Sequence, residues 1–197
     1  SKEGRRILFV GRNFVRKGGP LVVQAFTILR KKYLWSAELY LAGAKESDIR
    51  DALRERQIRV EEVDWQKIHL LGDLGSEKLT DYYNLCDVFC MPSYFEAYGL
   101  VFAEALTYGL PCIGRDKFAM SEFIEDGCTG RLISGEDAEK LALDLWEVLR
   151  DPKYREEVER RREWYLREYS WDKVAQRICS VMEKNERDKD QYRSAGV

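Results

Sequence analysis

Short, uninterrupted apolar runs, each stopped by a glycine or proline, alternate with helix-spaced segments through the first two thirds of this sequence. Ile7-Leu8-Phe9-Val10 ends at Gly11, Ala37 to Ala42 at Gly43, Ile68-His69-Leu70-Leu71 at Gly72, and Val88-Phe89-Cys90-Met91 at Pro92. Cys112-Ile113-Gly114 and Gly130-Arg131-Leu132-Ile133 complete a set of about six strands. Between them, Leu21, Val22, Ala25, Phe26 and Leu29 keep helical spacing, and residues 46–57 read as a charged surface helix. Ser76 is placed to cap a helix running to about Leu85, with Leu79, Tyr82 and Tyr83 inward. A further helix from about Leu100 to Tyr108 meets its stop signals at Gly109 and Pro111. A strand without polar alternation has both faces covered, and strands that alternate with helices pair in parallel. The fold expected is a doubly wound, Rossmann-like α/β domain, followed by helices only. Leu141, Leu145 and Leu149 mark the first of these, and Tyr154, Val158, Tyr165 and Tyr169 the second. Trp171, Val174, Ile178 and Met182 mark the third, with Ser170 as its N-cap. The chain turns polar and aperiodic from Glu183, and 186–197 are expected to form a disordered tail.

The 197 residues suffice for one domain and a real core without metal or disulfides. With 33 Lys+Arg against 35 Asp+Glu, the net charge of -2 argues against a dedicated nucleic-acid binder, whose phosphate contacts need a basic surface. No apolar run approaches the roughly 18 residues that span a bilayer, and Ser1 to Arg6 lacks a signal-peptide pattern. The five cysteines are odd in number and contain no C-x-x-C pair, which fits core thiols in a reducing, cytoplasmic compartment rather than a disulfide framework or zinc site. His69, inside an apolar strand, reads as a satisfied core or edge histidine, and the charges from Arg155 to Arg167 as the wet face of a helix.

In such sheets ligands sit beyond the carboxyl ends of the strands, which directs attention to the loops 11–19, 72–76, 92–99 and 114–122. The richest stretch runs from Pro92 to Ala105 and holds Glu96 and Glu104 in an E-x7-E spacing, with Gly99 between them at a helix start. Free N–H groups and the helix dipole suit that position to phosphate, and a glycine there admits a ligand close to the backbone. Ionised carboxylates accept the hydrogen bonds that sugar hydroxyls donate. The loop Gly11-Arg12-Asn13-Phe14-Val15-Arg16-Lys17-Gly18-Gly19 supplies the opposite charge, with Arg12 and Lys17 as candidates for a diphosphate. It is neither a P-loop nor a G-x-G-x-x-G fingerprint.

Taken in order, these pieces resemble the C-terminal, donor-binding domain of the retaining glycosyltransferases of family 4, also called group 1, which have the GT-B fold. The resemblance rests on Phe9-Val10-Gly11-Arg12 with Lys17-Gly18, Leu71-Gly72-Asp73-Leu74, Asp87-Val88 running into Pro92-Ser93, and the stretch from Glu96 to Glu104. Gly109-Leu110-Pro111, Asp126-Gly127 with Gly130, and Tyr169-Ser170-Trp171 extend it over about residues 5–185. It implies that residues 1–185 bind a nucleotide diphosphate sugar, often a UDP- or GDP-sugar, and that transfer retains the anomeric configuration, commonly without metal or other cofactor. Arg12 and Lys17 would hold the diphosphate, Leu74 would line the base pocket and Glu104 would bind the ribose, with Gly11 also at the donor site. Glu96 would bind a hydroxyl of the transferred sugar, Gly99 and Leu100 would touch the phosphates through their backbone, and Ala97 and Tyr98 would belong to the same donor site. Glu96, Arg12 and Lys17 would carry catalysis.

Two departures qualify the match. Phe118-Ala119-Met120-Ser121-Glu122 stands where many members carry G-G-x-P-E, so only the Glu is kept. Ala97-Tyr98 replaces a common Gly-Phe. The resemblance also implies an N-terminal acceptor-binding domain that none of these residues could form. Any peripheral membrane contact would fall to that half, and these residues alone would not catalyse transfer. The terminal aromatic residues, Trp164 and Trp171 among them, are expected to expose apolar surface toward it. The alternatives are a non-catalytic nucleotide-sugar-binding or interaction module and a sugar-nucleotide epimerase of related fold.

Overall fold

The computed structural model describes residues 5–170 and Lys173. The expected helix around Trp171 to Met182, Cys179 and the expected tail lie outside the described residues. Six parallel strands form one sheet in the order β3-β2-β1-β4-β5-β6. They are β1 (Arg6–Val10), β2 (Glu38–Ala42), β3 (Ile68–Gly72), β4 (Val88–Cys90), β5 (Cys112–Arg115) and β6 (Gly130–Ile133). The helices are α1 (Gly19–Lys32), α2 (Glu46–Glu55), α3 (Ser76–Leu85), α4 (Leu100–Thr107), α5 (Met120–Phe123), α6 (Ala138–Arg150), α7 (Lys153–Arg160) and α8 (Arg162–Glu168). From β1 the chain builds outward through β2 to β3, then crosses back to place β4 on the other side of β1. That reversal opens a crevice at the carboxyl ends of β1 and β4.

The apolar runs fall where both sheet faces are covered. Ile7, Leu8 and Phe9 of β1, all of β4, and Cys112 and Ile113 of β5 are fully buried. Helix α1 packs against α2 and α6, while α4 packs against α5 and α8. The edge strands β3 and β6 are only partly buried. His69 sits on the β3 edge, stacked on Tyr40 at 4.4 Å with its Nε2 3.2 Å from a Glu38 oxygen, a satisfied edge histidine. Cys86, Cys90 and Cys112 are buried free thiols, as expected of core cysteines.

Three local expectations are corrected. Gly75, not Ser76, is the N-cap of α3, and Ser76 is already its first helical residue. The charged helix α2 stops at Glu55, and Gln57 beyond it takes a left-handed φ of 58°. The helix expected through Tyr154 and Tyr169 is two helices, α7 and α8, broken at Arg161, whose side chain bonds Glu125 and Glu157. Ser170 Oγ accepts the Lys173 N–H at 3.2 Å, while the helix it is expected to cap lies outside the described residues.

Burial sets the alkaline limit of the fold. It pushes the Cys86 thiol up to about 12 from an ordinary 9.0. Burial, with the Glu38 carboxylate, pushes the Tyr40 phenol up to about 12 from 10.0. The unfolded chain ionises these groups first, so their contribution is fully present below about pH 9 and is lost as pH rises toward 12. The urea midpoint is therefore expected to fall steadily above about pH 9, and more shallowly in Tyr40→Phe. A midpoint that stays flat up to pH 11 would contradict this account.

Candidate functional site

The crevice is walled by the loop after β1, residues 11–18, and the loop after β4, residues 91–99. They meet closely. Gly18 takes φ 80°, and a Cβ there would lie 2.4 Å from the Pro92 carbonyl oxygen, so no other residue fits without moving one loop. The Tyr94 N–H donates to the Arg16 carbonyl at 2.9 Å. The fully buried Ser93 hydroxyl faces the carbonyls of Phe95 at 2.8 Å and Arg16 at 3.2 Å. The Arg16 guanidinium donates back to the Phe95 carbonyl at 2.9 Å, and Asn13 Oδ1 accepts the Arg16 N–H at 3.0 Å.

This zipper delivers Lys17 to Glu96. Lys17 Nζ donates to Glu96 Oε2, and the two side chains are only 14% and 13% exposed. So shielded from water, each charge depends on the other, and removing one strands its partner. The second oxygen, Glu96 Oε1, accepts the Gly99 N–H at 3.3 Å. Gly99 is the N-cap of α4 with φ 65°, and a Cβ there would lie 2.9 Å from the Phe123 ring. Glycine offers no capping side chain and the first turn of α4 carries no acid, so the Glu96 carboxylate is the anion that meets the positive end of this helix.

Glu104 lies on the exposed side of α4. Its Oε2 accepts the Tyr83 hydroxyl at 2.9 Å. Tyr83 is 2% exposed and stacks flat on Tyr108 at 5.4 Å. Burial, and next the Glu104 charge, raises the Tyr83 phenol far above its ordinary range, so it remains a donor.

The other expected residues line the rim. Arg12 donates to Asp73 at 2.9 Å, but this pair is 80% and 65% exposed, a loose arrangement that leaves Arg12 available to a ligand. Leu74, next to Asp73, is half-buried. The Gly11 N–H donates to the Ala42 carbonyl at 2.9 Å as β1 ends. Ala97, Tyr98 and Leu100 are exposed. In the stretch that departs from G-G-x-P-E, Phe118 takes φ 57° and sets its ring edge-on to Phe95 at 5.1 Å, while Glu122 is exposed. Trp164 is half-exposed, Tyr165 is buried, and Tyr169 packs on Phe123; Trp171 lies outside the described residues.

Sequence reasoning missed Ser93, Arg16, Tyr83 and Arg115. Arg115 is buried at the end of β5, donates to the Gly135 carbonyl at 2.5 Å and the Pro92 carbonyl at 3.3 Å, and lies 4.6 Å over the Tyr94 ring. It braces the Pro92 loop from behind. A charge at the end of an apolar strand run was the available signal.

Six parallel strands with flanking helices form a Rossmann-like sheet of the kind found in GT-B glycosyltransferases. The model of the family "Glycosyl transferases group 1" matches residues 1–165, and the chain belongs to that family. An uncharacterised glycosyltransferase of Methanocaldococcus jannaschii is 28% identical over 91% of this chain and 45% of its own length. The phosphatidyl-myo-inositol mannosyltransferase of Mycolicibacterium smegmatis is 28% identical over 92% of this chain and 46% of its own. The chain thus spans about half the length of these relatives. Among solved structures, Anabaena HepE in complex with UDP-glucose superposes with a TM-score of 0.76 at 18% identity, over 92% of this chain and 49% of that one. A sucrose-phosphate synthase of Thermosynechococcus elongatus gives 0.77 at 25% identity, over 94% of this chain and 46% of the other. Among the described residues, no helix is long and apolar enough to cross a membrane.

Ser93→Ala removes the hydroxyl that faces both loops. It is expected to cost about 1 kcal/mol, read as a lower urea midpoint at unchanged slope. No change would mean that the backbone and Arg16 bonds alone hold the loops together.

Proposed function

We propose that this chain is the donor-binding domain of a retaining glycosyltransferase that moves a sugar from a nucleotide diphosphate sugar to an acceptor held by a second, N-terminal domain. The observation that carries the reading is the shielded Lys17–Glu96 pair at the N-terminus of α4. It places a cation for a diphosphate and a carboxylate for sugar hydroxyls side by side. Without ligand the two charges satisfy each other. An incoming diphosphate competes for Lys17 and releases Glu96 to the sugar.

In this reading Arg12 closes over the diphosphate from the rim, and the backbone of Gly11, Gly99 and Leu100 approaches its oxygens. Leu74 lies against the base and Glu104 accepts from the ribose. Ala97 and Tyr98 shape the sugar side of the loop. As the bond from the anomeric carbon to the diphosphate breaks, the electron pair goes to the diphosphate oxygen. Lys17, Arg12 and the helix N-terminus stabilise that charge, and Glu96 holds the sugar in register. The acceptor hydroxyl oxygen bonds on the face the diphosphate leaves and gives its proton to the departing diphosphate oxygen, which keeps the configuration.

Calorimetric titration of UDP, GDP and ADP, each with and without a sugar, tests the site and identifies the base. Lys17→Ala is expected to weaken the preferred diphosphate by about 1.5–3 kcal/mol, or about 10- to 150-fold. Unchanged affinity would remove Lys17 from the site. In the full-length protein, Glu96→Ala is expected to lower turnover far more than nucleotide affinity; an equal loss of both contradicts the sugar-orienting role. Binding without transfer by the full-length protein would favour a non-catalytic module.

A further inference from the structure

We infer that Tyr83 is a positioning residue that fixes Glu104 for the nucleotide ribose and so gives the site its preference for ribonucleotides over 2′-deoxyribonucleotides. This rests on the donor-site reading above and goes beyond it to a residue that reading does not use. Tyr83 reaches Glu104 from inside the fold. Its ring is buried on α3 and stacked on Tyr108, whose own hydroxyl lies 3.2 Å from Thr80 Oγ1. The ring therefore cannot swing away, and its hydroxyl can only donate to Oε2 of Glu104, at 2.9 Å.

The consequence for Glu104 follows from its chemistry. A carboxylate on an exposed helix face samples several rotamers, and ordering it on ligand arrival costs affinity. The Tyr83 bond orders it beforehand and assigns the oxygens: Oε2 to the phenol, Oε1 to hydroxyl donors outside. The partner is also neutral. Among the described residues no lysine or arginine pairs with Glu104, so no cation competes with a ligand hydroxyl for its oxygens. A cis-diol, with two donors on adjacent carbons, is the ligand class suited to a carboxylate held in one orientation.

The test is calorimetric titration of this chain with UDP and GDP and their 2′-deoxy forms. The wild type is expected to bind the better ribonucleotide diphosphate more tightly than its deoxy form. Tyr83→Phe keeps the stacked ring and is expected to shrink that ratio by about threefold to tenfold, with affinity for the deoxy form nearly unchanged. In a Glu104→Ala background, Tyr83→Phe is expected to add nothing. Glu104→Gln, on the surface, serves as a second probe should Tyr83→Phe fail to fold. If Tyr83 engages the amide oxygen, only the NH2 group faces the ribose, and discrimination drops as far as in Glu104→Ala. An undiminished ratio in Tyr83→Phe, equal losses for ribo and deoxy forms, or full discrimination in Glu104→Gln would overturn the role of Tyr83 alone. Failure of the wild type to bind any ribonucleotide diphosphate would overturn the donor-site reading and this inference with it.

Discussion

The approach of Gly18 to the Pro92 carbonyl sets the distance between the loops that follow β1 and β4. Those strands are neighbours in the sheet but far apart in sequence. Once backbone meets backbone at Gly18, the Ser93, Tyr94 and Arg16 bonds close around the contact. Arg115 secures the same loop from β5 by binding the very carbonyl that Gly18 approaches. The positions of Lys17 and Glu96 are therefore consequences of main-chain packing rather than of side-chain flexibility. That suits groups meant to act by position.

Electrostatics divides the crevice into a fixed part and a loose part. Lys17 and Glu96 are shielded and mutually dependent, so either can be recruited only by a ligand that replaces its partner. Arg12 and Asp73 stand in solvent, where screening makes their attraction small and exchange with a ligand easy. Glu104 belongs to neither group: it is exposed, yet tethered by a neutral donor. The cleft thus offers a shielded ion pair, an exposed cation and an oriented anion at the carboxyl ends of the strands.

Much of this was readable in the chain. The central strands betray themselves because burial on both faces leaves no room for polar alternation, and Gly43, Gly72 and Pro92 mark where they stop. Glu96, Gly99, Glu104, Arg12 and Lys17 stood out because charge beside glycine at strand ends has few structural uses. What failed was of a different kind. Ser76 and Gly75 are adjacent and both can begin a helix, so propensity could not choose between them. The break at Arg161 depends on Glu125, distant in sequence, which no local pattern contains. Tyr83 looked like one more inward aromatic, because its hydroxyl matters only once α3 and α4 lie side by side. Ser93 and Arg115 act on main-chain carbonyls, so a motif residue and a charge at a strand end mark their positions but not what they bond.

The pairing of β1 with β4 also bears on how the protein comes into being. Arg6 N–H meets the Asp87 carboxylate at 2.8 Å across a separation of 81 residues, and Lys17 meets Glu96 across 79. Contacts that close such long segments form against a large entropy of ordering and come late relative to local helices. During synthesis β1 to β3 emerge before the loop after β1 has its counterpart. The crevice therefore arises in one step with the second half, and a ligand that binds there stabilises only chains that have made the crossing.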